Sequence, residues 1–296
     1  MIQPLTEIVP PFVLSAYGTD NKVSAADILK RWLYIYQQSL NQGIRIIGFS
    51  TDGDPRYLRA MRLCSRFFVE LPNLNLSKHD DYLKVDIPFN WAWFLMNPQQ
   101  VLVFFQDPTH LATKFRNRLF SKIASMKIED YRIDVKDLIH LMKTKNKLEH
   151  NLIRCDVAPK DRQNFPSCSR ISSLAVLNLL SQYEPATGTR LCLSLLRLLI
   201  SGFIDKSCSI EERLFNIWTV VFTCRLWWAW IDCGEAKSRA KNEKVKSMKK
   251  TKINKFISRT AFWSIELNAH TLLFLIVSVI QKKLPIHALN TYLFSS

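Results

Sequence analysis

The chain predicts an α/β fold in its first part and an all-α domain in its second. Two short apolar runs carry the α/β half of that expectation. Ile44-Arg45-Ile46-Ile47-Gly48-Phe49 leads into Ser50-Thr51-Asp52-Gly53-Asp54, and Val101-Leu102-Val103-Phe104-Phe105-Gln106 leads into Asp107. Each run is rich in β-branched and aromatic residues and closes on an acidic turn, as a buried parallel strand does. The third observation is that from about Asp134 onward helical periodicity replaces strands.

Taken in order, Phe12 to Tyr17 reads as a short strand. Asp27 to Asn41 reads as a helix, with Ile28, Trp32 and Ile35 on one face and Leu29, Leu33, Tyr36 and Leu40 beside them. Gly43 stands where a helix C-cap needs a left-handed residue. The strand from Ile44 follows. Asp54-Pro55 is an N-cap and first-position pair, opening a helix over Tyr57 to Phe68. A loop of low regularity runs from about Leu71 to Pro88. The strand Val101 to Gln106 precedes Asp107-Pro108, a second cap-and-proline pair, with a helix expected to about Met126. Further helices are expected over Val135–Lys147, Ser173–Tyr183, Arg190–Ile204, Ile210–Asp232 and Thr260–Lys282. Ser209-Ile210-Glu211-Glu212 is a capping-box signature.

These elements divide into an α/β part over 1–130, a helical domain over 134–235, a basic linker over 236–255 and a helical return segment over 256–296. The length of 296 residues suits one large or two ordinary domains, and 48% apolar residues supply a core. The formal charge of +16 points to a polyanionic partner. Seven cysteines without a CxxC argue for a reducing compartment, against a disulfide framework, and against a structural zinc finger. Met1 to Glu7 has no basic start and no long apolar run, so it does not read as a signal peptide. Leu214 to Ile231 is apolar, but an Arg such as Arg225 inside a membrane span costs about 2.5–3.5 kcal/mol. It reads as a buried, tryptophan-rich helix, and no membrane is expected.

The two acidic strand ends are the candidate site, because open α/β sheets bind ligands and metals there. Mg²⁺ takes hard oxygen ligands, often one or two carboxylates plus substrate phosphates. Asp107 is the first candidate ligand and Asp52 or Asp54 the second. The competing reading is ordinary local structure: Asp-Pro caps a helix and Asp-Gly makes a turn. Lys114, Arg116 and Arg118 on the following helix offer cations to a phosphate backbone. Glu266 and His270, four apart on a helix, are either a metal pair or a plain side-chain contact. Lys237 to Lys255 holds nine basic residues and one acid. It reads as a solvated linker, a nucleic-acid contact using Lys249 and Lys250, or a nuclear import signal. Nucleotide-cradling glycine loops and a GxSxG elbow have no support.

Four stretches resemble transposases of the P-element and THAP-associated type. They are Gly48-Phe49-Ser50-Thr51-Asp52-Gly53-Asp54-Pro55-Arg56, the run Gln106-Asp107-Pro108-Thr109-His110-Leu111-Ala112-Thr113-Lys114-Phe115-Arg116-Asn117-Arg118, Asp161-Arg162-Gln163-Asn164-Phe165, and Ile265-Glu266-Leu267-Asn268-Ala269-His270. The resemblance runs in order along nearly the whole chain. It implies an RNase H-like core interrupted by a helical insertion, and Mg²⁺-dependent cut-and-paste transposition of DNA in the nucleus, otherwise in the cytoplasm. It leaves GTP use open. It matches Asp107 to the second of three catalytic acids. The first would lie upstream of the stretch matched by Met1, and the third just beyond a segment like Leu289 to Ser296. The family's zinc-binding finger is not in this sequence. A partial sheet of this kind is expected to expose an edge and to pair with another chain or a second copy. The other reading is a non-catalytic nucleic-acid-binding protein.

Overall fold

The computed structural model describes residues 22–65, 83–87, 99–158, 160–239 and 254–291, with backbone alone at 235–239, 290 and 291. The expected strand at Phe12 to Tyr17, most of the loop from Leu71, and Lys249 and Lys250 lie outside the described residues. The fold is mixed α/β with helices dominant, and its strands form small two-stranded sheets. Two compact units are present. One comprises 1–107 with 266–296, and the other comprises 108–265.

In the first unit, helix α1 (Ala25–Asn41) starts at a capping box. Ser24 caps the Asp27 amide and Asp27 answers the Ser24 amide. Ile28, Leu29, Trp32 and Tyr36 form its buried face. Gly43, at φ 70°, turns the chain out of the helix as expected. Strand β1 (Gly48–Thr51) then pairs in parallel with β4 (Val103–Gln106), with Gly48 opposite Val103 and Thr51 opposite Gln106. Trp32 stacks on Phe49 and on Phe104, at 5.1 and 5.3 Å, and so fastens α1 to both strands. Gly48 is required by close approach, since a Cβ there would lie 2.3 Å from the Val103 carbonyl oxygen.

Between these strands stands α2 (Pro55–Cys64), capped by Asp54 with Pro55 in its first turn. It ends earlier than the expected Phe68. A short antiparallel pair forms between β2 (Leu83–Lys84), inside the expected loop, and β3 (Gln99–Gln100), just before the second expected strand. Pairs of two residues are too short to leave a period in sequence.

The second unit opens with α3 (Pro108–Leu119), which packs on helices α7 (Phe165–Ile171) and α9 (Thr187–Phe203). That packing is why α3 groups with the helices rather than with the strand before it. The expected continuation to Met126 is replaced by a turn and the hairpin of β5 (Lys127–Ile128) and β6 (Tyr131–Arg132). Helices α4 (Lys136–Thr144), α5 (Lys147–His150), α6 (Arg154–Val157), α8 (Leu174–Ser181) and α10 (Ile210–Arg239) complete the unit. Gly202 of α9 lets α10 approach, because a Cβ there would meet Ile217 at 2.4 Å. Buried Arg213 fastens the same corner by donating to the carbonyls of Gly202, Asp205 and Cys208.

Helix α11 (Arg259–Ile280) begins in the second unit and continues into the first, and α12 (His287–Thr291) follows. Among the described residues, three segments are long and apolar enough to cross a membrane: Glu184–Phe203, Ile210–Gly234 and Arg259–Ile280. Their buried shares inside the protein are 56%, 39% and 78%. The α10 segment is therefore less buried than its sequence suggests, and Phe215 and Leu226 lie exposed.

Candidate functional site

The parallel pairing of β1 and β4 sets the geometry of the first unit's site. Because Thr51 is opposite Gln106, the next residues, Asp52 and Asp107, leave the sheet at the same end. Adjacent strands lie roughly 4.8 Å apart, so the two backbones stand side by side there. The pairing extends one bond further, from the Asp107 amide to the Thr51 carbonyl at 2.8 Å. The Gln106 side chain donates to the Thr51 hydroxyl at 2.6 Å and closes the space between the strand ends. Asp107 is half-buried and Asp52 exposed.

Asp54 does not share this role. It accepts from the Arg56 amide at 2.7 Å and from the Arg56 guanidinium at 2.8 Å. The Arg56 hydrogen bonds outweigh desolvation and hold its carboxyl below the usual range. It is a helix cap with its oxygens in use.

The edge of β4 facing away from β1 meets side chains of a helix. Asn268 of α11 accepts from the Gln106 amide and donates to the Gln106 carbonyl, each at 2.8 Å. Thr271 donates to the Phe104 carbonyl at 2.6 Å. Two side chains of a helix thus take the place of a neighbouring strand, satisfying backbone groups that burial would otherwise orphan. Among the described residues, no strand pairs with the other edge of β1, where Ser50 is exposed. The stretch around Asn268 attracted notice for Glu266 and His270, both 4% exposed on the same helix. Asn268 itself carried no signal, because an amide inside an apolar helix looks the same whether or not a strand faces it. Among the described residues, no group of three or more His, Cys, Asp or Glu is arranged to hold a metal.

In the second unit, the basic residues of α3 divide. Arg116 was expected to meet phosphate, but it is 1% exposed. It donates to the carbonyls of Cys155 at 3.1 Å and Asp161 at 3.3 Å, and lies over Phe120. A phosphate cannot reach it, so Arg116 leaves the expected contact set. Asn117 donates to the Arg162 carbonyl at 2.7 Å. The Lys-x-Arg-Asn and Asp-Arg-Gln-Asn stretches therefore meet each other in the fold. Arg118 donates to the Phe256 carbonyl at 3.0 Å, and burial lowers its pKa. Lys114 and His110 are half-buried.

The buried carboxylates of this unit are structural. Asp156 receives Arg170 through two nitrogens, the Ser167 hydroxyl at 2.5 Å and the Ile153 amide at 2.9 Å. Asp137 receives Arg132 at 2.8 Å and Thr189 at 2.6 Å. The seven cysteines are free thiols. Burial pushes Cys64, Cys168 and Cys192 up to about 12, which makes poor nucleophiles of them.

Comparison with protein-family models, with curated proteins and with solved structures returns no match for this chain.

Proposed function

We propose that this chain is a fragment or domesticated remnant of a cut-and-paste DNA transposase with an RNase H-like core, and that alone it does not carry out strand transfer. The observation that supports this best is the placement of Asp107 at the carboxyl end of buried β4, level with Asp52 on a parallel neighbour. Carboxylates at adjacent strand ends suit a hard divalent cation that keeps coordination sites for phosphate. Asp107 would hold Mg²⁺, with Asp52 as second ligand. The ion would supply Lewis-acid assistance to phosphoryl transfer. The protein's own part is to hold the strand ends in register, through Gln106, Thr51 and the Asn268 clamp. Among the described residues these two carboxylates are joined by no third ligand, which leaves a two-metal site short, hence the expected inactivity.

The test is Mn²⁺ titration of the purified chain, with DNA nicking and joining assays alongside. Mn²⁺ binding is expected to be weak and lost in Asp107→Ala, with no nicking in Mg²⁺ or Mn²⁺. Metal affinity unchanged by Asp107→Ala would remove the site. Nicking that Asp107→Ala abolishes would overturn the inactivity.

The net charge of +16 favours a second reading, a non-catalytic nucleic-acid-binding protein. It expects steep salt dependence with no metal requirement. Changing Lys249 and Lys250 together to Ala would then lower the salt slope by about 2. Retention of the full slope would remove those two lysines from the interface.

A further inference from the structure

The second unit carries an arginine supported by two tryptophans. Arg259, the first residue of α11, is exposed. Its guanidinium carbon lies over two indoles, Trp228 at 5.3 Å and Trp263 at 5.2 Å from the ring centroids. Both tryptophans are half-buried. Trp228 is braced by an edge contact to Phe256, which is fully buried and touches Phe262 as well. The indoles cover faces of the guanidinium and fix its direction, which leaves its N–H edge as the recognition surface. Among the described residues, no carboxylate pairs with Arg259.

Its position in the helix adds to the argument. A cation in the first turn opposes the helix dipole, and α11 has no acid there to offset it. The charge missing from this end is negative. A second cation of the same unit also rests on a tryptophan. Lys127 lies over Trp230 at 5.1 Å, and its backbone carbonyl receives the Trp227 indole N–H at 2.7 Å. The nearest acid to Lys127 is Asp130, at 3.9 Å and fully exposed, which is a weak competitor. Two surface cations are thus supported by tryptophans of α10 and α11.

We propose that Arg259, fixed by Trp228 and Trp263, binds a backbone phosphate of nucleic acid, with Lys127 over Trp230 contributing a second contact. The inference rests on the DNA reading above and names a surface for it. A planar guanidinium with a free edge matches two phosphate oxygens in bidentate fashion. Anionic lipid headgroups carry the same phosphate chemistry. Nucleic acid is favoured because α11, which would have to enter the bilayer beside Arg259, spends Asn268 and Thr271 on a β-strand and is 78% buried in protein.

The test titrates the full chain against a short labelled duplex of random sequence over a range of salt concentrations. Arg259→Ala is expected to weaken binding about tenfold, as for a lost charged hydrogen bond. It should also reduce the salt slope by about one. Arg259→Lys keeps the charge and the stem. It is expected to keep the slope while losing affinity, which separates the planar fork from a folding defect. Vesicles of phosphatidylserine and phosphatidylcholine in equal parts should bind both variants and the parent alike. If the parent binds duplex and Arg259→Ala matches it in affinity and slope, the clamp is wrong and the DNA reading stands. If the parent binds no duplex, the DNA reading fails and the clamp with it. Vesicle binding that depends on Arg259, with duplex binding that does not, assigns the clamp to lipid and overturns the proposal.

Discussion

Replacing Asn268 by Leu tests whether a helix side chain can stand in for a strand. The amide makes two 2.8 Å hydrogen bonds to the backbone of Gln106, a residue 1% exposed. Leucine is close to it in size and leaves little room for a replacement water. The Gln106 N–H and C=O would then be buried without these partners. Each orphaned group costs about 1–3 kcal/mol, so the pair amounts to about 2–6 kcal/mol. Thr271→Val removes one bond, to Phe104, and should cost only about 1–2 kcal/mol. Urea unfolding measures the loss, and hydrogen exchange at the Gln106 amide localises it. That amide is expected to be strongly protected in the parent and to exchange far faster in Asn268→Leu. A destabilisation below about 0.5 kcal/mol, with Gln106 protection unchanged, would refute the account of the β4 edge.

Three further outcomes are expected. Asp156 has its carboxyl pKa raised by burial but lowered more by Arg170, Ser167 and the Ile153 amide, for a net depression. Its contribution to stability is therefore full above the unfolded carboxylate value, near 3.8, and is lost as pH falls through the lower folded value. Urea midpoints taken on acidification should fall in the parent and flatten in Asp156→Asn, which should also lose about 3–5 kcal/mol near neutrality. Arg116→Met should cost stability, about 2–4 kcal/mol, while leaving the salt slope of DNA binding unchanged. A slope reduced by one would return Arg116 to the interface. Gly48→Ala puts a methyl group 2.3 Å from the Val103 oxygen and should destabilise by at least about 2 kcal/mol. Near-parental stability in a thermal melt would show that the β1–β4 register is not as described.

The strand ends were legible because local rules and the tertiary fold agree there. Val101 to Gln106 reads as a buried strand; the strand formed is its last four residues, Val103–Gln106, and all four are buried. Asp54-Pro55 reads as a helix start, and Asp54 caps α2. The face of α1 follows from 3–4 spacing because one side of the helix is buried, against α2 and the β1–β4 pair. Charge was the poor guide. Lys114, Arg116 and Arg118 look alike in sequence, yet Arg116 is sealed against carbonyls and Arg118 reaches Phe256. Whether a cation meets solvent or a carbonyl depends on residues about forty or more positions away.

The sequence by itself determined where most helices begin and where the two acid-ended strands lie, since hydrophobic period, proline and capping side chains act within a few residues; it did not set their burial, for β1 is only half-buried. It also determined the strong positive charge and the placing of an acid after each parallel strand. Only the tertiary structure decided what those elements meet. It set β1 beside β4 so that Asp52 and Asp107 share an end, it turned Asn268 into a strand's hydrogen-bond partner, and it put Arg259 of α11 against Trp228 of α10. Each depends on hydrogen bonds or packing between segments far apart in the chain. Such contacts exist only once the loops between them have closed, and no local pattern records them.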